Sequence, residues 1–272
     1  MSEYGLGCVP ASPREKRGAA LISSVCAPVG DTPIPETLHA REWLTINDQG
    51  PYNSCCGNAT DKALEWDAYV GSRQRVNLSA RMSYLAAQQS AGIRNGRDQG
   101  VSIEAGAVGA REIGTCLERD FPYWKPGEWF DARLPANVLK GSNPYKVGAI
   151  AEATNAREII QRLGTGQGAT ILGINWTSTL ASYDGSRPIT DPMHGRILGG
   201  HAIAACDYEV QGGRQYVRIW NSHSEQWGDR GTMLVAADVV DMWLQGSPYG
   251  AYTVTGLQGF AKRPFQFEGV WG

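Results

Sequence analysis

Apolar residues first recur at helical spacing after a polar turn. Ala59, Ala63, Trp66 and Val70 sit on one side of a helix that starts near Cys55. The turn ahead of it carries Gly50, Pro51 and Asn53. A second helix is predicted over Leu78 to Leu85 with Ser79 as its cap, and a third runs from Ile103 to about Gly114 behind Ser102. Between them lies a glycine-rich loop ending Asp98-Gln99-Gly100, and Phe121-Pro122-Tyr123-Trp124 with Pro126 marks a rigid aromatic loop.

The second half changes period. Asn155 and Glu158 form a capping box for a short helix with Ile159, Ile160 and Leu163, stopped by Gly164, Gly166 and Gly168. Ala169 to Ile174 reads as a buried strand, 177–198 as a polar loop, and His201 to Val210 as a strand. Gly212-Gly213 turns the chain into a return strand, Gln215 to Trp220, and Gly231 to Val235 makes another. The hairpin brings His201 and Asn221 to the same end of one antiparallel pair. Ahead of all this, residues 1–33 are expected to be an extended arm lying on the domain, and 34–47 an extended segment anchored by Trp43, Leu44 and Ile46. A helical first half and an antiparallel second half make an α+β fold with two lobes.

Composition narrows the class. A chain of 272 residues, 42% hydrophobic and 19% charged, has room for a sizeable core. A net charge of −2 gives no reason to expect nucleic acid or an anionic membrane as partner. No apolar run approaches the roughly 20 residues needed to cross a bilayer, and no secretory signal is seen, so the expected location is cytoplasmic. The six cysteines form no C-x-x-C pair, which argues against a zinc knuckle or a redox dithiol, and no metal or organic cofactor is expected. Cys8, Cys26, Cys116 and Cys206 are read as packing residues, and His39 and His194 as loop or surface residues.

Cys55 stands apart because a helix start favours thiolate over thiol: its backbone N–H groups are unpaired and the helix dipole is positive there. Nucleophilic catalysis also needs an imidazole, a group to orient it, and donors for an oxyanion. His201, Asn221 and Gln49 are available for these parts.

These residues stand in motifs that resemble the papain-like cysteine peptidases: Asp48-Gln49-Gly50 followed by Cys55, Gly199-Gly200-His201-Ala202, and Asn221-Ser222 with Trp227-Gly228 and Gly231. The segment Asn53 to Ala59 and the opening Tyr4-Gly5-Leu6-Gly7 are similar to bacterial and phage members. The resemblance implies a two-lobed papain-like fold with the cleft between a helical lobe (about 48–135) and a β-barrel-like lobe (about 140–260), all within one domain over 34–272. It implies Cys55 as nucleophile, His201 as general base and acid, Asn221 as the group orienting the imidazole, and Gln49 as an oxyanion donor. Gly100, Gly200 and Trp227 would line the substrate side. The implied activity is hydrolysis of a peptide or isopeptide bond in a peptide or protein substrate. Two alternatives use the same residues: an acyl transferase, or an inactive domain serving as a structural or assembly component of a phage particle, which would be virion-associated. The chain departs from the family pattern in carrying Cys56 after the nucleophile, His223 where tryptophan usually covers the Asn–His bond, and Tyr52 where a cysteine usually stands.

Overall fold

The structure, a computed structural model, describes residues 4–23, 30, 32–93, 97–125, 127–131, 133–134 and 145–260, with only the backbone at 17 and 20–23. Cys26, Pro126 and the junction expected between the lobes lie outside the described residues.

Helix α2 (Cys55–Ser72) is the axis of the first lobe, and sixteen of its eighteen residues are buried. A helix covered on all sides must carry small residues where neighbours come close. Gly57 meets helix α3 (Ala80–Ser90) in this way: a Cβ built on it would lie 2.5 Å from Tyr84 Cβ and 2.7 Å from Tyr84 Cα. Gly57→Ala is therefore expected to push the two helices apart, costing about 1–3 kcal/mol. Thermal unfolding checks this, and a melting temperature equal to the parent's would contradict it.

The charged residues of α2 are buried with partners. Lys62 pairs with Glu65, whose Oε1 accepts from the Leu78 N–H at 2.9 Å. Asp61 accepts from Asn47, and Asp67 accepts from the N–H groups of Gly256 and Leu257. These bonds tie the helix to two distant segments of backbone and to the Asn47 side chain, which is how such groups are tolerated inside. The predicted caps are in place. Ser79 Oγ accepts from the Met82 N–H for α3, and Ser102 Oγ from the Ala105 N–H for α4 (Ile103–Glu112).

The arm departs from expectation. It is not extended throughout, because Pro13–Ser23 forms helix α1. Its start is a capping box: Ser12 bonds the Glu15 carboxylate through both its N–H and its hydroxyl, the Glu15 N–H returns to Ser12 Oγ, and Pro13 takes the first helical position. Glu15 also accepts from Ser102 Oγ at 2.8 Å, which fixes α1 to the start of α4. The 34–47 segment is likewise broken, by a 3₁₀ turn at Ala40–Glu42, with Trp43 and Leu44 buried as anchors.

The second lobe is one six-stranded sheet, ordered β1-β6-β2-β3-β4-β5, with every pair antiparallel. Its strands are β1 (Ala149–Glu152), β2 (Ala169–Thr177), β3 (Ile197–Gln211), β4 (Arg214–Trp220), β5 (Thr232–Ala236) and β6 (Ala251–Thr255). Helix α5 (Ala156–Gly164) has the expected Asn155 cap. The 177–198 loop contains a short helix, α6 (Ser178–Ala181), and gives its last two residues to β3. Strands β1 and β6 and helix α7 (Ala237–Gly246) were not foreseen. At the β3–β4 turn, Gly212 and Gly213 both have positive φ (57° and 80°), the pairing a tight hairpin needs. The register pairs Gln211 with Arg214 and Ala204 with Trp220, with a bulge between Ala205 and Asp207. His201 and Asn221 therefore emerge together at the far end of the hairpin. Helix α2 packs its length against β2 and β3, so the start of the helix and that end of the sheet face one another.

Candidate active site

Cys55 is the first residue of α2 and has no solvent exposure. Burial pushes its thiol up to about 11, against the pull of the Ala202 and Gly7 N–H groups that lie on the sulfur and of the helix start itself. Cys56 points elsewhere. Its sulfur donates to Ser102 O at 3.3 Å and occupies the space beside Gly106, between α2 and α4.

His201 projects from β3 and bonds through Nε2 to Asn221 Oδ1 at 2.7 Å. An amide oxygen only accepts, so Nε2 carries the proton. The Ser222 N–H holds the same oxygen at 2.8 Å and fixes the amide's orientation. In the neutral ring Nδ1 is then the basic nitrogen, and it has no hydrogen-bond partner among the described residues. Burial lowers the ring's pKa to about 4, while the Asn221 bond works in the opposite direction. With the thiol raised and the imidazole lowered, both groups are neutral near pH 7.

Gln49 is held on every side. Its Oε1 accepts from Ser222 Oγ at 2.5 Å, its N–H donates to Ser222 O at 2.9 Å, and its carbonyl accepts from the Tyr123 hydroxyl. These bonds leave Nε2 as the amide's free end, and it donates to Tyr52 O and Gly5 O, both at 2.8 Å.

Gly5 belongs to the arm, and the arm runs through the cleft rather than over the domain surface. The Gly5 N–H donates to Gly50 O, the Cys8 N–H to Gly200 O and the Val9 N–H to Val101 O, while Gly7 O accepts from the Val101 N–H. Cys8 and Val101 form a parallel bridge. The strand fits only because glycines stand at the close approaches. A Cβ on Gly5 would lie 2.3 Å from Tyr52 O, and one on Gly7 would lie 1.9 Å from Asn53 O. A Cβ on Gly100 would lie 2.0 Å from Gly7 O, and one on Gly200 would lie 2.1 Å from Cys8 O. Gly100 and Gly200 thus form the two walls against which a peptide backbone lies. Cys8, read as a packing residue, is buried in the core as part of this strand.

Trp227 donates its indole N–H to Leu180 O and packs 5.5 Å from Trp176, so it stands one layer behind the imidazole. Two rings lie against His201, those of Trp176 and His223, each at 4.6 Å. Trp176 is fully buried, and no local sequence signal separates it from the other buried tryptophans. Ser222 was quoted only as part of a motif, although it orients both Gln49 and Asn221. His194 and His39 are exposed and away from these groups. Among the described residues no cluster of His, Cys, Asp or Glu could hold a metal ion, and no helix is long and apolar enough to cross a membrane.

A family model described as papain family cysteine protease matches residues 34–246. Among solved structures, the chain is similar to xylellain, a cysteine protease from Xylella fastidiosa, with a TM-score of 0.70 and 19% identity over 94% of this chain and 98% of that one. It is similar to the bromelain protease from Ananas comosus in complex with the E64 inhibitor, with a TM-score of 0.64 and 17% identity over 82% of this chain and 100% of that one. It is also similar to digestive procathepsin L 3 of Tenebrio molitor larval midgut, with a TM-score of 0.67 and 16% identity over 92% of this chain and 83% of that one. No curated protein matches.

Proposed function

The chain belongs to the papain family of cysteine proteases and is a papain-like cysteine peptidase, and we propose that Cys55, His201, Asn221 and Gln49 carry its reaction, in a cleft the arm must leave first. His201 Nδ1 takes the Cys55 proton. The thiolate attacks the scissile carbonyl, and the imidazolium gives its proton to the leaving amine. Water then releases the acyl group from sulfur. Asn221 keeps the Nε2–H tautomer and stabilises the imidazolium. Gln49 Nε2 and the Cys55 N–H receive the negative charge that develops on the carbonyl oxygen. The substrate backbone lies between Gly100 and Gly200, with Trp227 behind the histidine on the leaving-group side.

One observation carries this reading. A peptide strand already lies in the cleft, with its Gly5 carbonyl on Gln49 Nε2 and its Gly7 N–H against the Cys55 sulfur. A peptide carbonyl therefore reaches the donor that the chemistry requires.

The test is covalent labelling with an epoxide of the E64 class, the inhibitor bound in the bromelain structure, followed by peptide mass spectrometry. The adduct is expected on Cys55 and is expected to disappear in His201→Ala. An adduct on Cys56, or equal labelling of Cys55 in both proteins, would overturn the assignment.

A further inference from the structure

His223 sits in a ring of aromatic groups. Tyr4 of the arm stacks flat on it, with centroids 4.3 Å apart and an interplanar angle of 14°. Trp176 stands perpendicular to it at 5.2 Å, Trp227 does so at 6.3 Å, and His201 lies 4.6 Å away. The residue is buried, and its Nε2 has no hydrogen-bond partner among the described residues. Tyr4 is tied down further by its hydroxyl, which donates to Ser224 Oγ at 3.4 Å. This aromatic contact stands at the end of the strand that fills the cleft.

We propose that His223 is the seat of the arm and makes the arm's hold on the cleft depend on acidity: the neutral ring stacks under Tyr4, and a protonated ring releases it. A charged imidazolium in this position would leave the Nε2–H unpaired and would face no counter-ion among the described residues. From β3 the facing titratable group is His201, from the arm it is Tyr4, and β2 and the loop after β4 offer only Trp176 and Trp227. Asp48, whose backbone bridges to that of His223, is exposed and spends its carboxylate on the Gly50 N–H, and Glu225 is exposed as well. Attraction between a cation and the Tyr4 face offsets only part of the cost of burying an unpaired charge.

The linkage has a definite sign. With the arm in place, burial and the neighbouring His201 hold the His223 pKa down to about 2. With the arm out, the ring meets water and moves back toward the ordinary value of about 6.5. The open form therefore binds the proton first. The closed form is fully favoured above the open-form pKa and loses on the order of tenfold per pH unit below it. His201 is lowered in the closed form too and acts with the same sign, so a His223 variant is needed to separate the two.

Amide hydrogen exchange of the full chain, corrected for intrinsic rates, reads the arm directly at residues 4–9. The proposal stands on the arm's placement and not on the assignment of Cys55, so loss of the catalytic reading leaves this measurement intact. Protection of the segment is expected to fall by on the order of tenfold or more between pH 7 and pH 5, and by clearly less in His223→Phe. An equal fall in both proteins, or none in the parent, overturns it. A second variant on the arm itself, Tyr4→Ala, leaves the domain's core untouched. NMR titration is then expected to show the His223 pKa rising, and an unchanged value would also overturn the proposal.

Discussion

His201→Ala is expected to lower kcat/KM for peptide hydrolysis by a factor on the order of 10⁴ to 10⁶, the range seen when a nucleophile loses its base. The size follows from the geometry. His201 Nδ1 is the basic nitrogen that the Asn221 bond leaves available, and in the proposed reaction it is the base that serves Cys55. The second imidazole, His223, does not replace it, because burial and His201 itself hold that ring far less basic. A thiol pushed up to about 11 gives almost no thiolate at neutral pH unless a nearby imidazole takes its proton. Removing the ring leaves binding and the Gln49 donor in place, so KM should change little while kcat collapses. A fluorogenic peptide assay in a background where the cleft is open measures this directly. A loss of less than about tenfold would mean that His201 is not the base.

Gly7→Val has the opposite sign and is the second large effect. A Cβ at position 7 would lie 1.9 Å from Asn53 O, a backbone atom in the turn just ahead of α2. The strand Gly5 to Val9 is then unable to sit down. It is held by five hydrogen bonds to Gly50, Gln49, Val101 and Gly200. At about 0.5 kcal/mol net apiece these leave roughly one to two per cent of molecules open, so peptidase activity should rise on the order of 10- to 100-fold. Turnover of the same peptide and the rate of Cys55 alkylation should rise together. Activity at or below the parent's, with arm amides shown to exchange freely, would mean that the strand does not restrain the site.

The two halves of the site differed in how well the sequence announced them. Cys55 at a helix start, the caps Ser79, Ser102 and Asn155, and the Gly212-Gly213 hairpin all rest on local rules, and local rules are legible. His201 and Asn221 could be placed at one end of a ladder because strand pairing converts sequence spacing into distance. The arm's destination was not legible. Most of the hydrogen bonds that seat it in the cleft are main chain to main chain, and Gly5 and Gly7 leave no side-chain pattern to read. Helix α1 was missed for a different reason: Ser12-Pro13-Arg14-Glu15 is a capping box, but a segment rich in proline, serine and glycine was read as extended. The roles of Trp176 and Ser222 depend on register across β2, β3 and the loop after β4, which no local signal supplies.

Peroxide attacks thiolates, not thiols, and needs contact with the sulfur. Under the arm, Cys55 has no exposure, and burial, which pushes its thiol up to about 11, keeps it protonated at pH 7. The other described cysteines are free and buried as well. The closed chain therefore shields the Cys55 sulfur from oxidation, and on the proposed mechanism that sulfur becomes vulnerable at the moment the cleft opens to substrate.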